Sequence, residues 1–204
     1  MKAHLFYGLW WLSFAIAHSL LATPKGRNFL TRLFGPAERI AYNIMASLHI
    51  ALVFAAGRLI FTNDLNIPTI QPDYKFLMIG VGVFGWLLMF LALKEYDLGR
   101  FSGLTQWRMA KQGNQDDQLE PLQTQGFHKF VRHPIYLSAY LILWSGAFNT
   151  VGLDTAIWGS IYLFIGMRFE ERKLHKIYGR SYQIYCQQVP AFIPWKGRVE
   201  TINQ

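Results

Sequence analysis

Three stretches of this chain, residues 5–22, 40–61 and 76–93, run close to twenty residues with almost no charge, and a fourth, 135–167, stays apolar for longer than one membrane crossing requires. A helix rising about 1.5 Å per residue needs about 20 such residues to cross a hydrocarbon core of roughly 30 Å. Lipid offers backbone N–H and C=O groups no partner, so each stretch must satisfy its own and fold as a helix. The fourth stretch is interrupted by Asn149-Thr150-Val151-Gly152-Leu153-Asp154, which predicts a tight turn between two arms of a hairpin. The expectation is an all-α polytopic membrane protein of about five transmembrane helices, organised as one domain over residues 1–204.

Charge distribution orients the helices. The net charge is +8 and only 16% of residues are charged, and Lys and Arg sit beside the ends of the apolar stretches. A nucleic-acid footprint would gather them on one polar face, so the expected partner is the lipid bilayer and not nucleic acid. Of the 20 Lys and Arg, only Lys2, Arg58 and Lys75 fall on one side of a five-helix arrangement. The positive-inside rule then places the N-terminus outside and the C-terminus in the cytoplasm; a bacterial inner membrane is the expected location. The first stretch is expected to stay as a helix: only Lys2 precedes it, whereas Lys25, Arg27, Arg32 and Arg39 follow in what is expected to be an inner loop, the reverse of a secretory leader. Cys186 is the only cysteine, which fits a reducing compartment and offers no zinc-ligand spacing, so no metal is expected.

The longest polar connection runs from Glu95 to His133, its tip at Gly113-Asn114-Gln115-Asp116-Asp117-Gln118. Beyond the fifth crossing, Leu174, Ile177, Tyr178, Tyr182 and Tyr185 recur at helical spacing among charges. They predict a separate amphipathic helix over residues 170–188, lying on the cytoplasmic surface and covering what is beneath it.

Two polar groups flank the hairpin. Arg132-His133-Pro134 stands where a loop enters a helix, and Pro suits that first turn because its missing N–H would have had no intrahelical partner. The remaining free amides of that turn, with two basic side chains, favour an anion. Glu170-Glu171 stands where the hairpin leaves the membrane, and acidic residues contribute little to orientation. A hairpin returns to the side it left, so both groups belong at one membrane face and could present opposite charges to a zwitterion.

The stretch Pro121-Leu122-Gln123-Thr124-Gln125-Gly126-Phe127-His128-Lys129-Phe130-Val131-Arg132-His133-Pro134-Ile135-Tyr136 resembles a motif of the integral membrane methyltransferases, among them isoprenylcysteine carboxyl methyltransferases and phospholipid methyltransferases. Glu170-Glu171-Arg172-Lys173-Leu174, Tyr178-Gly179-Arg180-Ser181-Tyr182, Tyr185 and Val189-Pro190 are similar to the second motif of that family. The two cover residues 121–195. His18-Ser19-Leu20-Leu21-Ala22, Tyr42-Asn43 and the run from Asp97 to Gln106 look like the methanethiol S-methyltransferase and NnrU-like branch. The resemblance implies S-adenosyl-L-methionine as cofactor and a small or lipophilic methyl acceptor, most readily a thiol. It also implies an acceptor-side half over residues 1–94 and a cofactor-binding half over residues 95–204. By position, Gly126, Phe127, His128, Val131, Arg132, His133, Pro134, Tyr136, Glu170, Glu171 and Tyr182 would line the cofactor site. Arg132, His133 and Glu170 would be the catalytic groups, and His18, Asp97 and Gln106 would face the acceptor. The chain departs from the pattern at Gly126-Phe127-His128, where the family usually has Gly-Pro-Tyr, and at Ser138, where it usually has Gly.

Methyl transfer from a sulfonium needs chiefly in-line positioning and exclusion of water, and a thiol must attack as thiolate, which a neighbouring cation such as Arg132 or His133 would favour. Other classes remain at this stage: a carboxyl or phospholipid amine acceptor, an NADPH-dependent sterol-type reductase, or a non-enzymatic or haem-binding partner of a respiratory complex. His18 and His49 lie within apolar stretches at different depths, which suits interhelical hydrogen bonds better than a shared haem. Gly80, Gly82 and Gly85 are read as sites of close helix packing.

Overall fold

The computed structural model describes residues 2–62, 74–114 and 121–196, and over these it is helical. Helix α1 is Lys2–Ala22, α2 Pro24–Phe34, α3 Glu38–Ile60, α4 Lys75–Leu93, α5 Leu98–Ser102, α6 Leu104–Lys111, α7 Pro134–Ser145 and α8 Thr150–Gln188. Four segments of it are long and apolar enough to cross a membrane, containing α1, α3, α4 and α8, so this is an integral membrane protein.

The expected fifth crossing is shorter than the others. Helix α7 has 12 residues, about 18 Å at 1.5 Å per residue. The turn from Gly146 to Asn149 completes its course, and Asn149 caps α8 by accepting a hydrogen bond from Gly152 N at 2.9 Å. Much of α7 is enclosed by α4 and α8, its strongest neighbours. Gly82 and Gly85 allow that approach: a Cβ on Gly82 would stand 2.7 Å from Ser145 Oγ, and one on Gly85 3.0 Å from Leu141 Cβ. The close packing read from these two glycines is present, whereas Gly80 has nothing within 4 Å.

Burial in α1 follows helical spacing, with Tyr7, Trp11 and Phe14 packed against Val53 and Phe61, while Leu5, Phe6, Leu9 and Leu12 face outward. An apolar exterior of this kind is what a lipid solvent permits. At one end of the molecule His4 Nδ1 meets Asp154 Oδ2 at 2.7 Å, His4 lies on Phe61, and the hydroxyls of Tyr7 and Thr155 share a 2.8 Å hydrogen bond, tying α1 and α3 to the start of α8.

Two expectations change at the opposite end. The basic segment after α1 is helical: Thr23 Oγ1 accepts from Gly26 N at 3.1 Å, Pro24 opens α2, and Arg27 reaches Glu38 at 2.9 Å. The amphipathic segment over residues 170–188 is no separate helix, because α8 continues without a break from Thr150 until Gly179, where φ is 53°. A charge-dense sequence after an apolar one marks the membrane boundary, and nothing in residues 167–178 breaks a helix. The break falls at the first glycine after the apolar run. Gln115, Asp116, Asp117, Gln118 and Arg198 lie outside the described residues.

Replacing Gly85 by Leu should lower the thermal unfolding midpoint in detergent, overpacking of this kind costing about 1–3 kcal/mol or more, while Gly80→Leu should leave it nearly unchanged. A Gly85→Leu protein as stable as the parent would contradict the α4–α7 packing.

Candidate functional site

The hairpin brings Arg132-His133 and Glu170-Glu171 together, as their positions in the sequence require. Arg132 Nε donates to Glu171 Oε1 at 3.0 Å and Nη2 donates to the same oxygen. Its Nη1 donates to the carbonyl oxygens of Val189 and Cys186. His133 is 4% exposed, with Nε2 3.2 Å from Glu171 Oε1 and Nδ1 3.9 Å from Glu170 Oε2. The Tyr136 hydroxyl lies beside the Glu170 carboxylate. Glu171 is held to about pH 2 against an ordinary 4.5, first by the hydrogen bond from His133 and then by Arg132.

The segment after α8 closes over this group by main-chain bonding. Arg132 N donates to Pro190 O at 2.9 Å and His133 N to Ala191 O at 3.2 Å. Two consecutive amides before α7 are thereby used, so the amides of its first turn, at Ile135 and Tyr136, are the ones left without intrahelical acceptors. Phe192 packs its ring 6.0 Å from His133 and 5.3 Å from Tyr140. Beneath the turn at Gly179, Tyr182, Tyr185 and Val189 are buried against Leu122. The Tyr182 ring meets His175 at 4.8 Å, and its buried hydroxyl lies beside the Cys186 thiol.

Gly126, Phe127 and His128 form a second group beside the first, organised by Glu95, a residue the sequence reading did not single out. Glu95 Oε1 accepts from Phe127 N at 2.8 Å and Oε2 faces His128 Nδ1 at 3.0 Å. His128 Nε2 lies 3.0 Å from the Tyr96 hydroxyl, and the His128 carbonyl accepts from Tyr185 at 2.6 Å. Gly126 has φ of 58°, and a Cβ there would stand 2.0 Å from Glu95 Oε1, so only glycine fits under the carboxylate. Val131 is buried, and Ser138, the other departure from the motif, is buried and donates to Pro134 O at 2.8 Å. Only the position of Glu95 and Tyr96 immediately after an apolar helix could have drawn notice to them.

The residues assigned to the acceptor are more dispersed. His18 bonds the Tyr42 hydroxyl, Nε2 at 2.8 Å, and lies between the rings of Phe14 and Tyr162. His49 bonds Ser13 at 3.1 Å, so both membrane histidines join α1 to α3. Asp97 is exposed and caps α5 by accepting from Arg100 N at 3.0 Å. Gln106, on α6, keeps a buried Oε1 without a hydrogen-bond partner.

The chain is similar to methanethiol S-methyltransferase 1 of Bradyrhizobium diazoefficiens, at 31% identity over 91% of this chain and 65% of that protein. It is also similar to methanethiol S-methyltransferase of Crocosphaera subtropica, at 30% identity over 91% of this chain and 72% of the relative. With methanethiol S-methyltransferase 2 of Bradyrhizobium diazoefficiens the identity is 32%, over 89% and 69%. No family model and no solved structure matches the chain. The chain belongs to the methanethiol S-methyltransferase family, and it spans about two thirds of the length of these relatives.

Because the folded value of Glu171 lies below the ordinary one, its ionised form stabilises the fold above pH 4.5, and this contribution is lost as pH falls toward 2. The stability difference between the parent and Glu171→Gln, measured by thermal unfolding in detergent, should be constant from neutral pH down to about 5 and shrink below it. A difference that grows on acidification would contradict the pairing.

Proposed function

We propose that this chain is an S-adenosyl-L-methionine-dependent methyltransferase of the bacterial cytoplasmic membrane, with its site on the cytoplasmic side and a small thiol such as methanethiol as acceptor. One observation carries the reading: relatives named for methanethiol methylation match about nine-tenths of the chain. The basic ends of the helices support the orientation. Methyl transfer is favoured over the reductase and haem readings.

The residues present fit such a donor. Glu170 is 42% exposed beside the buried His133, a carboxylate available to an ammonium group. The first-turn amides of Ile135 and Tyr136 suit a carboxylate at a helix N-terminus. When bound, the donor supplies an activated methyl group with a neutral leaving sulfur. Glu170 and the α7 amides fix the orientation of its amino-acid end. Arg132 has its donors engaged by Glu171 and by two carbonyl groups, so its part is to hold residues 186–191 over the site and keep water out. His133 orients Glu171 and flanks Glu170. The half over residues 95–196 thus carries the donor groups, and the helices over residues 2–62 and 75–93 would enclose the acceptor.

In detergent, the purified protein given labelled S-adenosylmethionine should transfer label to methanethiol, and far less to a prenylcysteine analogue or to phosphatidylethanolamine. Glu170→Ala should reduce turnover by about 10²-fold or more and weaken donor retention, as expected for loss of a positioning carboxylate. Wild-type turnover in that variant would remove Glu170 from the site. Transfer to the lipid or the prenylcysteine in preference to any thiol would overturn the acceptor.

A further inference from the structure

The geometry points to Tyr96, backed by His128 and Glu95, as the group that takes the proton from the acceptor thiol. This rests on the thiol methyltransferase reading and extends it to a step for which neither Arg132 nor His133 is placed to act as base.

The three side chains stand in series. Glu95 Oε2 lies 3.0 Å from His128 Nδ1, and His128 Nε2 lies 3.0 Å from the Tyr96 hydroxyl. An ionised carboxylate only accepts, so His128 carries its proton on Nδ1 and presents the Nε2 lone pair to the Tyr96 O–H. The imidazole is 4% exposed and the His128 main-chain carbonyl accepts from the Tyr185 hydroxyl, leaving the residue little freedom. Glu95 is itself held by Phe127 N. Glu170 acts electrostatically on the Tyr96 hydroxyl and the Tyr136 hydroxyl lies beside that same carboxylate, so the outer end of the series is on the Glu170 side of the site. At its inner end, Glu95 borders a cleft of about 360 Å³ lined by Gly126, Phe127, Lys129 and Phe130, which gives a proton an exit to water.

The groups facing His128 are Glu95 and Tyr96 from the segment after α4, His133 from its own loop, and Glu170 and Tyr185 from α8. Burial lowers the proton affinity of the imidazole first and most, with Glu95 acting against it, so the ring is neutral and able to accept at physiological pH. A buried carboxylate that orients a neutral histidine and stabilises the imidazolium formed on proton uptake is a recurrent base arrangement.

In the step, the thiol S–H bond breaks and its proton goes to the Tyr96 oxygen as the Tyr96 proton moves to His128 Nε2. The sulfur electron pair forms the new bond to the methyl carbon of the sulfonium donor. The old bond from that carbon to the donor sulfur breaks, and its electron pair stays on that sulfur, which becomes neutral. One proton is left on His128 and leaves through the cleft beside Glu95. No oxidant or reductant is required.

An acceptor that is already an anion needs no base, and this separates a proton relay from a structural brace. Tyr96→Phe and His128→Gln should each lower turnover with methanethiol by roughly 10²-fold, and Tyr96→Phe should change it little with an arenethiolate that is ionised at the assay pH, while retaining labelled S-adenosylmethionine like the parent. Equal losses with both acceptors, or none with either, would overturn the relay. In donor-free protein, nitrogen-15 NMR of labelled imidazoles should show His128 neutral with its proton on Nδ1 at about pH 7, and a doubly protonated ring would also overturn it. If the parent protein methylates no thiol, the underlying functional reading fails instead, and the NMR result still reports on the His128 tautomer.

Discussion

A guanidinium beside a membrane cannot be left without partners, and the arrangement of the site follows from where Arg132 finds its own. Its partners come from two parts of the chain distant in sequence: Glu171 at the end of the spanning part of α8, and the carbonyl groups of Cys186 and Val189 beyond the break at Gly179. Satisfying one side chain therefore brings α7, α8 and the last described segment to one place. A lysine could not do the same, because a single ammonium lacks the planar fork that serves a carboxylate and two carbonyl groups together. The main-chain bonds from Arg132 and His133 to Pro190 and Ala191 continue the same seam.

Around that seam the titratable groups fall into two sets. Glu171 is engaged by both basic residues and serves the architecture, whereas Glu170, its neighbour in sequence, stays 42% exposed beside His133 and Tyr136. The change of direction is a property of the helix, since consecutive residues point about 100° apart. An acidic pair at this position thus gives one carboxylate to hold the fold and one for a ligand. Glu95 and His128 repeat the pattern on the other side, a carboxylate fixing a buried histidine whose second nitrogen remains in play.

The helical membrane architecture was legible because lipid imposes a length and a hydropathy that few other folds share, and the close approach at Gly82 and Gly85 was legible from residue size. Meeting of Arg132-His133 with Glu170-Glu171 followed from hairpin geometry alone. Glu95 and Tyr96 were not legible, because their partners lie beyond a polar connection whose path no local pattern dictates. The continuity of α8 was misread for a related reason: the switch from apolar to charged residues reports where the membrane ends, and a helix has no need to end there. Helix α2 was missed because four basic residues in a short segment read as a loop, although Thr23-Pro24 is a helix start.

That continuity gives α8 a fixed phase. Asp154 faces His4 at one end and Glu171 faces Arg132 at the other, with unbroken helix between them. Removing or adding one residue in the span would barely alter its hydropathy or its reach, yet it would turn one end by about 100° relative to the other. Either the α1 contact or the site would then lose its register. The crossing is constrained in residue number, not merely in thickness, so this span should resist insertions and deletions far more strongly than substitutions among apolar residues.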